Sequence, residues 1–226
     1  MGGENPRIVL SVLGVILAVA AGVGVWETTS RRSESAASAA VARVETAYRE
    51  AMGAQPGDLE VPEPANPETA RAVREDFAAQ LLEVADAHSS SHAAVMARIE
   101  AGTLQWQNGD REGAIATWRL AARDAPDDAL RGLALQRLAV GLESRGDPAA
   151  AAQAYAEAGA LDGFPGRVDA LAQAARCWLD AGERQKALDI YARIEAEGAK
   201  PGEIPEHIRA ALEELRAQQG AARPTS

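Results

Sequence analysis

Apolar and small residues recur every three or four positions along most of this chain, the spacing that gathers them on one side of an α-helix. Strict alternation in twos, which would signal strands, does not persist anywhere. The helical pattern also repeats itself: Gly109-Asp110, Ala114 and Trp118 return as Gly146-Asp147, Ala151 and Tyr155, and again as Gly182-Glu183, Ala187 and Tyr191, at spacings of 37 and 36 residues. Self-similarity at such a fixed period predicts an array of helix-turn-helix units. In each unit the glycine ends a first helix, because it takes a left-handed backbone without strain. The acidic residue after it is placed to accept the free N–H groups that open the second helix. Asp147-Pro148 adds a proline at the first helical position, where its missing N–H is not needed. The alanine lets two backbones approach, and the aromatic four residues on shares its face and fills the wedge between hairpins.

Further helices flank the three repeats, which occupy residues 93–200. A helix over 27–54 carries Ala37, Val41, Val44, Tyr48 and Met52 on one stripe, suited to packing on the repeats or to forming a homo-oligomer seam. The proline-dense, acidic run 55–67 reads as a linker. Residues 68–92 form a packing helix whose face is Ala70, Val73, Phe77, Leu81 and Leu82. A capping helix over 201–220 turns Ile208, Leu212 and Leu215 toward the third repeat, and 221–226 is a frayed tail. Ahead of all these, behind a short tail 1–7, residues 8–26 run for 19 positions without a charge. At about 1.5 Å per residue a helix of that length crosses the roughly 30 Å hydrocarbon core of a lipid bilayer, so a single transmembrane helix is expected there, with Trp26 at the interface. Ala18-Val19-Ala20 would suit a signal peptidase, but apolar residues continue to Trp26, which favours an uncleaved anchor. Arg7 before the span and Arg31 and Arg32 after it do not decide the orientation; counted alone, they lean toward cytoplasmic repeats.

Charge removes one class of partner. The net charge is -10 with a pI near 4.9, and no basic stripe offsets it, so no nucleic-acid partner is expected. Cys177 is the only cysteine, which excludes an intramolecular disulfide and predicts a small buried side chain. His88 and His92 stand four apart, a spacing that can share a metal, but no acidic residue lies at the flanking helical positions; the serines between them suit an N-cap for the helix near Ala93. No glycine-rich phosphate loop, nucleophile elbow or converging carboxylate pair is present, so the chain is expected to be no enzyme and to need no cofactor or metal.

Set side by side, the units resemble the tetratricopeptide (TPR) family. The first agrees at Gly102, Gly109, Asp110, Ala114, Ile115, Trp118, Ala121 and Pro126, the second at Leu135, Leu138, Gly146, Asp147, Ala151, Tyr155 and Ala158, the third at Leu171, Trp178, Gly182, Ala187, Leu188 and Tyr191. Gly163 and Ala199 depart from it where a closing proline belongs, as does Ile194 where an alanine belongs. The resemblance implies an all-α fold, a TPR-like α-solenoid behind the transmembrane helix. It also implies a concave face lined by the first helix of each unit: Met96, Ile99, Thr103, Trp106 and Gln107, then Leu133, Gln136, Val140 and Glu143, then Asp169, Ala172, Arg176 and Leu179. Such a mixed face suits an extended or helical peptide. Ile99, Thr103 and Leu133 stand where a carboxylate-clamping array needs basic or amide side chains, which disfavours that role. Alternatively, the helix over 68–92 fills the groove and turns Met96, Ile99 and Trp106 into core.

The layout of anchor, spacer and short array, most specifically 81–122, is similar to the bacterial TPR-like ancillary subunit of the Sec translocon. That resemblance implies a protein of the inner membrane with periplasmic repeats, working beside the Sec translocon and a membrane-anchored chaperone on exported proteins. An envelope adaptor for cell division or outer-membrane assembly, and a cytoplasm-facing adaptor, are the alternatives.

Overall fold

The structure, a computed structural model, describes residues 31–89, 91–198 and 204–221. The expected membrane span, 8–26, lies outside the described residues. Among the described residues no helix is long and apolar enough to cross a membrane.

Nine helices and no strand are found among the described residues. α1 covers residues 31–51. It is followed by α2 (Pro67–Ala87), α3 (His92–Gln107), α4 (Arg111–Asp124), α5 (Asp128–Ser144), α6 (Pro148–Gly159), α7 (Arg167–Asp180), α8 (Arg184–Ala196) and α9 (Glu206–Ala221). From α2 onward each packs mainly on its neighbours in sequence, while α3 also meets α5 and α5 meets α7. This is a TPR-like solenoid of stacked hairpins with the first helices side by side.

The three repeated turns are built alike. Gly109, Gly146 and Gly182 have φ of 85°, 84° and 78°. The N–H of the next residue reaches back to a carbonyl of the preceding helix: Asp110 to Gln105, Asp147 to Leu142 and Glu183 to Trp178. Asp110 and Asp147 accept from the N–H groups of Gly113 and Ala150, whereas the longer Glu183 makes no such cap. Ala114, Ala151 and Ala187 are fully buried, and Trp118, Tyr155 and Tyr191 stand in the main core beside them.

Where the second repeat lacks a closing proline, Phe164 does the closing. Its ring plugs the notch over Gly132 of α5, so close that a Cβ on Gly132 would lie 2.2 Å from it. The Gly163 N–H donates to the Asp128 carboxylate at 3.1 Å, fastening the same loop to the start of α5.

α1 and α2 form a further hairpin ahead of the three repeats and pack on α3. The stripe Ala37, Val41 and Met52 is buried, with Val44 and Tyr48 half-buried behind it. Val41, Phe77, Ala78, Leu81, Ala85, Ala94, Ala97, Ala101 and Leu104 make a second core. Tyr48 meets Phe77 edge to face at 5.6 Å. The linker folds back on this hairpin, where Arg49 donates to the Asp58 carbonyl and Arg74 pairs with Glu63. Arg98 on α3, buried, donates to Asp86 at 2.8 Å and Asp124 at 2.6 Å, tying α2 and α4 to α3. At the far end Ile204, Ile208 and Leu212 are buried and hold α9 on α7 and α8.

The serine cluster is an N-cap, with the Ser91 hydroxyl accepting from the Ala94 N–H. Glu34 of α1 adds a second cap across helices, its two oxygens accepting from the N–H groups of His92 at 2.8 Å and Ala93 at 3.0 Å. Burial pushes the Glu34 carboxyl up, but these amides and the His92 ring together hold it below the usual carboxylate value. A depressed folded value means that the stabilisation is present above the unfolded pKa and is lost as pH falls through the folded one. Hydrogen-exchange protection factors of α1 are therefore expected to drop between about pH 5 and pH 3, before those of α5 to α8, and Glu34→Gln should flatten that pH dependence. Equal loss along the whole solenoid would show that Glu34 does not hold α1.

Candidate functional site: the concave face

The first helices present a regular surface. From α3 come Met96, Glu100, Thr103 and Gln107; from α5, Leu133, Arg137, Val140 and Ser144; from α7, Asp169, Gln173, Arg176 and Asp180. Each row steps by four, three and four residues, and the rows are related by the 37- and 36-residue periods. A cleft of about 660 Å³ opens between α5 and α7, lined by the α5 residues named together with Gln136 and Glu143, by Asp169, Gln173 and Arg176, and by Tyr155 of α6. None of these comes from α2, so the helix expected over 68–92 does not fill it.

Of the residues expected on this face, the cleft brings together Leu133, Gln136, Val140, Glu143 and Arg176. Val140 is 48% exposed and Met96 44%; Gln107 is exposed and Thr103 half-buried. Three of the residues expected on this face lie toward the core, which for Ile99 and Trp106 is the alternative the sequence leaves open. Ile99 is only 4% exposed and belongs to the main core; its carbonyl accepts from the Trp118 indole and the Thr103 hydroxyl. Ala172 is fully buried. Trp106 lies inside the α3–α4 hairpin, half-buried, 5.6 Å from the Trp118 ring and covered by the Arg111 guanidinium at 3.7 Å. Leu179 is half-buried against the same core. The cause is common to these positions: a row stepped as three, four, three drifts toward the core side of a helix with 3.6 residues per turn. Glu100, Arg137, Ser144, Gln173 and Asp180, the members missed, fall where each row steps by four, three and four.

Part of the charge in the cleft is already committed. Arg176 donates to Gln173 at 2.9 Å, to Asp180 at 3.0 Å and to Glu143 at 2.7 Å, and the hydrogen bond to Glu143 holds its guanidinium strongly protonated. Each of its three nitrogens thus donates to a neighbour in or beside the cleft, which fixes the guanidinium in place. The Cys177 thiol, buried beneath, donates to Glu143 at 3.4 Å, and burial pushes its pKa up to about 12. Burial, and then Glu143, likewise push the Tyr155 phenol up. Neither group is set up as a nucleophile or a base. His92 faces Asp127 at 3.0 Å with Nε2 and Glu34 at 3.4 Å with Nδ1; the carboxylates sit on opposite edges of the ring and do not converge on a metal position. No cluster suited to a metal is found among the described residues.

Residues 3–217 match the tetratricopeptide repeat-like domain family. The chain belongs to that family. Its TPR-like domain points to a protein–protein interaction scaffold. A crystal structure of MamA is similar at 17% identity, with 68% of this chain and 85% of that chain covered and a TM-score of 0.44. So are the nearly identical TPR-like repeats attributed to a Podosopora anserina kinesin light chain, at 16% identity, 70% and 95% coverage and a TM-score of 0.45. No curated protein matches the chain.

Proposed function

We propose that this TPR-like protein is a non-enzymatic scaffold, anchored in the bacterial inner membrane by residues 8–26, whose periplasmic concave face receives segments of exported proteins or of a chaperone beside the Sec translocon. The observation that carries the binding part is the open cleft between α5 and α7, which keeps Val140 exposed among polar side chains that can pair with a backbone. The anchor rests on the uncharged stretch itself, which is long enough to cross a bilayer as a helix. The translocon assignment rests on the resemblance over 81–122. An envelope adaptor working through self-association loses its best surface, because the stripe from Ala37 to Met52 faces inward.

Two experiments test the reading. Protease added to intact spheroplasts should remove a C-terminal tag; protection of the tag until lysis would place the repeats in the cytoplasm and sink the translocon part. A photo-cross-linking residue at Val140 should capture translocon or chaperone subunits, and one at the exposed Gln153 of α6 should not. Val140→Asp is expected to cut that capture roughly tenfold, about 1.4 kcal/mol, with an unchanged melting temperature, since the side chain is half exposed. Equal capture from both positions would show that the concave face is not the binding surface.

A further inference from the structure

We infer that the concave face selects segments carrying a basic side chain, which seats between Glu45 of α1 and Glu100 of α3; this rests on the reading of that face as a peptide-binding surface. A cavity of about 200 Å³ lies there, walled by Val44, Tyr48, Leu81 and Leu104, with both carboxylates and Arg49 in its lining. The apolar wall suits the methylene stem of a lysine or arginine, and the carboxylates suit its charged end. Glu100 is half-buried and has no hydrogen bond or ion pair among the described residues. Burial pushes its carboxyl up, Glu45 pushes it further, and Arg137 of α5 offsets only part of this. A half-buried carboxylate facing a like charge is relieved by a cation from outside.

Two of the basic side chains nearby are held by the folded-back linker. Arg49 donates to the Asp58 carbonyl of the folded-back linker, and Arg74 is held by Glu63 and acts on the Tyr48 hydroxyl. Arg137, exposed one helix further along, is the internal competitor for Glu100. Together with a net charge of -10, these features favour basic over acidic segments.

The first test uses n-butylammonium chloride on the full chain, with the Glu100 side-chain carboxyl followed by 13C NMR. Its titration midpoint should move down relative to the same concentration of sodium chloride, and the shift should grow in Arg137→Gln. An unmoved midpoint, or a shift equal to that of sodium, overturns the inference whether or not any peptide binds. The second test compares blocked eleven-residue peptides of alanine, serine and valine with lysine, norleucine or glutamate at the centre. Lysine should be preferred over norleucine by roughly tenfold, and Glu100→Gln should bring that ratio close to one while leaving norleucine binding in place. A ratio that survives Glu100→Gln, or no preference for lysine, overturns the assignment. Butylammonium acting on Glu100 while none of the peptides binds would instead overturn the reading of the face as a peptide groove.

Discussion

Phe164→Ala is expected to lower stability by about 3 to 5 kcal/mol, and Gly132→Ala by about 1 to 3 kcal/mol, yet the second change should turn favourable once the first is made. Phe164 is buried and its ring fills the place where a Cβ on Gly132 would sit, 2.2 Å away. Truncating the ring leaves a cavity at the α6–α7 loop and loosens the grip of that loop on α5. Adding the methyl with the ring present forces ring and helix apart, a cost larger than the gain in helix propensity. With the ring gone the methyl enters vacated space, and only the propensity gain of alanine over glycine remains, about 1 kcal/mol. Chemical denaturation of both single variants and the double variant measures this coupling. Additive losses would mean that the loop is closed by something other than this plug, leaving the Gly163–Asp128 hydrogen bond as its main fastening.

The same loop shows how far local sequence reasoning reaches. The helices, the turn glycines and the buried alanine and aromatic columns were legible because each is fixed by its own local pattern: a left-handed φ after a helix, or a small residue four before a large one. Phe164 was not, because its partner Gly132 lies on another helix and neither residue is conspicuous alone. Likewise α1 could be read as an amphipathic helix, but not as half of an additional hairpin, nor as the helix whose Glu34 caps α3 from 58 residues away. On the concave face the exposed apolar residues, Met96 and Val140, are legible in the sequence, while Ile99, open there to either reading, and Ala172 lie on the core side of their helices. A rotation of one position suffices for that difference, since neighbouring positions on a helix lie about 100° apart. The networks of the site were beyond sequence altogether: that Arg176 is bound by Glu143 and Asp180, and that Glu100 faces Glu45, depends on which helices stack.

Trp118→Ala and Trp106→Ala are expected to separate two aromatic rings that touch each other yet differ in role. Trp118 is 3% exposed and stands at the joint between hairpins, against Gly102 of α3 and Gly141 of α5, with its indole N–H donating to the Ile99 carbonyl at 3.1 Å. Gly102 leaves room for that ring alone, and Gly141 leaves room for it together with Ile115. Removal of the ring should lower stability by about 3 to 5 kcal/mol. Because contacts in a solenoid are mostly between neighbours, the damage should stay at the joint. Unfolding is then expected to split into two steps, with α1 to α4 opening before α5 to α9, visible as two classes of hydrogen-exchange protection. Trp106 is half-buried and covered mainly by Arg111, so Trp106→Ala should cost only about 1 to 2 kcal/mol, keep a single transition and leave binding at the concave face intact. If Trp106→Ala instead abolished partner binding at an unchanged melting temperature, the binding surface would extend to the end of the α3–α4 hairpin, and the cleft between α5 and α7 would be only part of it.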